Sequence, residues 1–97
     1  MEESFKTMAK RTLGAIVKAA RNEARMSQRE LAAAIGVKAS HIAYIESGRR
    51  RPSIPLINPL SKTLGLDGKE VLVLAYPAVK QIIDGVRPSG RKKLRNP

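Results

Sequence analysis

The chain has 97 residues, enough for one small domain with one modest core and no room for a large substrate cleft. Only Phe5, Tyr44 and Tyr76 are aromatic while 42% of residues are hydrophobic, so the core must come from Leu, Ile, Val and Ala, a palette suited to packed helices. With no cysteine and the single His41, neither a disulfide frame nor a zinc cluster is available and no cofactor is implied, whereas a net charge of +11 points to a polyanionic partner.

Taken in chain order, apolar residues Met8, Leu13, Ile16, Val17 and Ala20 recur at three- and four-residue steps and predict a first helix over about 6–24. Ser27 and Glu30 form an S-x-x-E capping box, which starts a second helix at Gln28. That helix ends at Ile35, because Gly36 accepts the left-handed conformation without a Cβ clash. A third helix over about 39–47 is closed in the same way by Gly48. The arginines 49–51 and "RPSIP" follow, with Ser53 as the cap of a fourth helix that carries Ile54, Ile57, Leu60 and Leu64. Asp67 and Glu70 repeat the cap logic for a fifth helix, "EVLVLAY", which Pro77 stops. The residues 78–84 can form one more short helix, and 85–97 have the Gly, Pro and Arg content of a flexible basic tail.

Charge follows this organisation. Residues 1–51 carry a net +6, residues 52–84 are neutral and residues 85–97 carry +5. Nucleic acid fits this better than a membrane, since the positive charge does not lie opposite a broad apolar helix face. Runs such as "VLVLAY" are far shorter than the roughly 20 residues of a membrane helix. "MEESFKTMAKRTLG" has no apolar block before a cleavage site, so it does not read as a secretion signal. A cytoplasmic, nucleoid-associated protein is expected.

Spacing within the second and third helices carries the functional signal. Two helices joined by a short turn nearly touch, so the contact takes a small side chain and the turn takes a glycine. Ala32 and Gly36 stand at those two places, and Leu31, Ile35, Val37, Ile42 and Ile45 face one core. Lys38, Ser40, His41, Tyr44 and Ser47 are then left on the outer face of the third helix.

This constellation resembles the helix-turn-helix domain of the phage repressor and Cro family, also called the XRE family. The match runs from "LGAIVKAARNEARMSQRELAAAIGV" through "YIESGRRRPSIPLINPLSKTLGL", about residues 13–75, with "SQ.EL", Ala32, Gly36, "IES.R" and "LGL" in register. It implies a compact, all-α, five-helix lambda-repressor-like domain over residues 1–76, followed by the extension at 77–97. In that family the third helix lies in the major groove and the second crosses the backbone. By position, the resemblance assigns base reading to Lys38, Ala39, Ser40, Ala43 and Tyr44. It assigns phosphate contacts to Gln28, His41, Ser47, Gly48, Arg49, Arg50 and Arg51. Arg21 and Glu46 match a pair that serves as a partly buried structural salt bridge.

Three residues depart from the family pattern. Arg25 stands where glycine is usual, and Pro55 and Pro59 fall within the fourth helix, where Pro59 should remove a backbone bond and bend it.

The expected function is sequence-specific binding of double-stranded DNA by a transcription regulator, a repressor acting as a homodimer on a palindromic operator. Leu72, Leu74, Tyr76, Val79, Ile82 and Ile83 supply more apolar surface than one small core needs and are the expected dimer interface. An antitoxin with a toxin partner, or a bridging coactivator, are the rival readings. An enzyme is not expected, because the few carboxylates serve as caps and ion pairs and His41 has no nucleophile placed beside it.

Overall fold

The computed structural model describes residues 12–82, 84 and 85, and every regular element among them is helical, the all-α architecture expected. Among the described residues the main helices are α1 (Leu13–Glu23), α2 (Gln28–Ile35), α3 (Ala39–Ser47), α4 (Ile54–Leu64) and α5 (Gly68–Ala75). Residues 78–82, 84 and 85 are also helical. The first turns expected from Lys6, including Met8, lie outside the described residues, as do Ile83 and the tail from residue 86.

Local chemistry sets the boundaries. The Thr12 hydroxyl accepts the Ala15 N–H at 3.1 Å and opens α1. At α2 the capping box is complete, with Glu30 N–H donating to Ser27 Oγ at 2.9 Å and Ser27 N–H donating to Glu30 Oε1 at 2.8 Å. Asp67 caps α5 by accepting the Lys69 N–H at 2.9 Å. Ser53 occupies the N-cap of α4 as expected but makes no side-chain cap bond. Pro59 lies inside α4, which continues to Leu64. Its missing N–H would have met the carbonyl of Pro55, an exposed residue near the helix start whose freed oxygen can be hydrated. Arg25 takes the left-handed turn at φ +58°, with its N–H bonded to Asn22 O at 3.0 Å, a conformation costing roughly 1 kcal/mol in a non-glycine residue.

The main core gathers Val17, Leu31, Ala32, Ile42, Ile45, Leu60 and Leu64 from α1 to α4. A smaller cluster of Ile57, Val71 and Ala75 fixes α5 to α4. Each fully buried Leu, Ile or Val side chain contributes about 1.5–3 kcal/mol, and Leu, Ile, Val and Ala fill the main core without an aromatic. Between α1 and α3 the backbones touch at Gly14. A Cβ added there would collide with the Glu46 carbonyl oxygen and lie 2.7 Å from that of Ile45. A rigid backbone, not a movable side chain, forms that wall.

Gly14→Ala is therefore expected to destabilise the fold by about 1–3 kcal/mol or more through overpacking. Gly68→Ala meets nothing nearer than Ser61 Oγ at 3.8 Å and should be neutral or slightly stabilising. Urea denaturation of the two variants checks the contrast.

Candidate nucleic-acid interface

The turn between α2 and α3 is made by Gly36 at φ +79°, whose N–H bonds to the Ala32 carbonyl while Val37 N–H donates to the same oxygen at 2.9 Å. Ala32 is buried at the crossing. Ile42 and Ile45 face the core from α3, which leaves Lys38, Ser40, Tyr44 and Ser47 exposed. His41 and Ala43 are half-buried, and half-buried Ala39 packs against the main core. Val37, Lys38, Ser40, His41, Tyr44 and Arg50 together line a shallow depression of about 250 Å³. Lys38 stands at the N-cap of α3 with no side-chain cap bond, so its ammonium is not committed to the helix.

Behind this face lies a charged anchor. Arg21 Nε donates to Glu46 Oε2 at 2.7 Å and its Nη2 to Oε1 at 3.1 Å, the bidentate fork geometry. Arg21 Nη1 also donates to the Met26 carbonyl at 2.8 Å. Only 10% of the Arg21 side chain and 5% of that of Glu46 reach solvent, so the pair is shielded from screening. The hydrogen bond to Glu46 raises the Arg21 pKa above its ordinary value, against the lowering by burial. A cation with a raised folded pKa stabilises the fold at every pH below its unfolded value, which for arginine covers all working conditions. Gln28 joins the anchor, its Nε2 donating to Glu46 Oε1 at 3.0 Å. One amide hydrogen of Gln28 is thus spent inside the protein and one remains.

The loop after α3 is fixed by one carbonyl. Tyr44 O accepts the N–H groups of Arg49 at 2.9 Å and Arg50 at 3.2 Å and the Ser47 hydroxyl at 3.1 Å. Gly48, at φ +84°, gives its N–H to Ile45 O at 3.2 Å. The donors of Ser47 and Gly48 are therefore occupied, and what the loop can offer an anion is side-chain charge. Arg49 lies over the Tyr44 ring at 5.9 Å, and Arg50 is exposed at the edge of the depression. Arg51 reaches the end of α5. Its Nη1 donates to the Ala75 carbonyl at 3.2 Å and its guanidinium lies 4.9 Å from the Tyr76 ring centre.

Comparison with known proteins agrees with this geometry, since a family model described as "Helix-turn-helix" matches residues 17–71. This chain belongs to the XRE-type helix-turn-helix family. Its relatives include an uncharacterized HTH-type transcriptional regulator, y4dL, of Sinorhizobium fredii (strain NBRC 101917 / NGR234), 36% identical over 77 residues that make up 75% of this chain and 37% of that protein. They also include the ImmF control region 10 kDa protein of Bacillus phage phi105, 34% identical over 55 residues, 57% of this chain and 61% of the relative. The chain thus spans 37% and 61% of the lengths of these two curated relatives. No solved structure matches it significantly.

In this helix-turn-helix protein the apolar residues after α4 divide into two groups. Leu72 and Tyr76 are half-buried against the smaller core cluster of their own chain. Leu74 and Ile82 are exposed at 40% and 63%, and Val79 is half-buried. A cleft of about 370 Å³ lined by Lys69, Glu70, Val73, Leu74 and Lys80 opens beside them. Among the described residues no cluster of three or more His, Asp or Glu could hold a metal, and no helix is long and apolar enough to cross a membrane.

Sequence reading did not anticipate Gly14, Pro52 or the role of Gln28 toward Glu46. A glycine inside a helical pattern is the only signal Gly14 offers. For the anchor, Arg21→Met is expected to cost about 3–5 kcal/mol, since Glu46 is left buried without its cation. Adding Glu46→Leu to it should recover most of that loss, and denaturant midpoints of the two variants check the order.

Proposed function

We propose that this protein is a sequence-specific double-stranded-DNA-binding transcription regulator, a repressor that binds a palindromic operator as a homodimer with α3 in the major groove. The observation that carries the reading is the outer face of α3. Lys38, Ser40 and Tyr44 stand exposed around one depression, beside Arg50, on a helix whose inner face is fully packed. Lys38 can donate to guanine O6 or N7, Ser40 suits several bases, and Ala39, Ala43 and the Tyr44 ring offer apolar contact to a thymine methyl.

Phosphate binding falls to His41, Arg49 and Arg50 on one side of α3. On the other side are the first N–H groups of α2 and the second amide hydrogen of Gln28, at the positive end of that helix dipole. The phage control-region relative supports a repressor, and such a protein works in the cytoplasm at the nucleoid. One helix-turn-helix unit reads few base pairs, so a second copy is needed for useful specificity. Leu74, Val79 and Ile82, next to the cleft beside α5, form the self-complementary patch we assign to it.

Random-site selection should return an inverted repeat. With about four phosphates neutralised by each protomer, log K against log salt should fall with a slope of roughly −7. Lys38→Ala or Ser40→Ala should change sequence preference, while Arg50→Gln should weaken all sites together. A slope near zero ends the DNA reading. Sedimentation of Leu74→Asp and Ile82→Asp variants tests the interface, both being expected to remain monomeric where the unaltered chain dimerises.

A further inference from the structure

The three consecutive arginines are the strongest charge feature of the sequence, yet only two of them point at the face that would meet DNA. Arg51 gives one hydrogen bond to the carbonyl of Ala75, the last residue of α5, where the helix end carries unsatisfied oxygens and partial negative charge. The same guanidinium lies on the Tyr76 ring. The Tyr76 hydroxyl in turn donates to the Pro52 carbonyl at 2.9 Å, and the Pro52 side chain is fully buried. Two adjacent loop residues are thus clamped by two adjacent residues at the end of α5.

We propose that Arg51 and Tyr76 are positioning residues for DNA binding, which hold the loop so that Arg49 and Arg50 meet phosphates, while Arg51 itself touches none. This rests on the DNA-binding reading above. Arg49 and Arg50 lie between two fixed points, the Tyr44 carbonyl that takes both their N–H groups and the clamp that begins at the next residue. Long side chains on a wandering loop would lose conformational entropy on binding, and a loop already fixed at both ends removes much of that cost. The guanidinium is needed for this as a planar fork that can stack on a ring and donate sideways, which an ammonium cannot do.

A salt titration of the full chain on a mixed-sequence DNA duplex, read by fluorescence anisotropy, separates the two kinds of arginine. Arg50→Gln should flatten the slope by about 1 per protomer, the signature of a lost phosphate contact. Arg51→Gln should leave the slope unchanged and lower affinity roughly three- to tenfold, the scale of one net hydrogen bond. Arg51→Lys should fail to restore affinity although it keeps the charge. Tyr76→Phe, which retains the ring and loses only the bond to Pro52, should weaken binding roughly two- to tenfold at unchanged slope. The proposal is overturned if Arg51→Gln flattens the slope as Arg50→Gln does, or if Arg51→Lys binds as the unaltered chain does. Either result leaves the DNA reading standing, because the unaltered chain still shows its steep slope. A flat slope for the unaltered chain overturns both.

Discussion

The pairing of Arg21 with Glu46 is the constraint on which the arrangement of the first three helices depends. Its four nitrogen–oxygen contacts, counting Met26 and Gln28, tie α1, the turn after it, the start of α2 and the end of α3 to one carboxylate and one guanidinium. Removing two charges from water offsets much of their attraction, so the pair adds little net stability over an apolar replacement. What it supplies is direction. Neither group can slide without leaving a buried charge unpaired, and an apolar contact has no such penalty for slipping. The glycine at position 14 makes this possible, since it lets the α1 backbone come against the carbonyls of Ile45 and Glu46.

A helix held from behind in this way does not need its outer face for folding. The bookkeeping of donors shows what is then left over. Gly36, Gly48, Ser47 and the N–H groups of Arg49 and Arg50 all give their hydrogens to carbonyls of their own chain. Lys38, Ser40, Arg49 and Arg50 retain side-chain donors that face solvent. On the surface of α3, structure has therefore been completed with backbone groups, and the side-chain donors are left for other partners.

How much of this was legible in the sequence depends on the range of the interaction. The bounds of α2 and α3 follow from Ser27, Glu30, Gly36 and Gly48, because caps and left-handed ends are settled within four residues of chain. Arg21 and Glu46 are 25 residues apart and were reached only through the register of the whole motif. Gly14 gave no comparable cue, since its requirement comes from a backbone far along the chain. Nor did residue type distinguish Arg51 from Arg49 and Arg50. All three are the same residue in a row, and the difference comes from Ala75 and Tyr76, 24 or 25 positions downstream. Pro59 removes one backbone bond inside α4 and the helix still runs on to Leu64, because the cost of a proline depends on which carbonyl it orphans and whether water can reach it.

The neutral middle of the chain acquires a physical meaning from these contacts. Its helix α5 ends in the carbonyl that receives Arg51, and the same helix carries Leu74 on an exposed face. Burial of that face would restrict α5, and restriction of α5 steadies the loop that bears Arg49 and Arg50. Favourable order at one place lowers the entropy still to be lost at the other, which is a coupling that needs no change of shape. On the function proposed above, a basic α5 would draw DNA to the side away from α3 and resist a second copy of an already strongly basic chain.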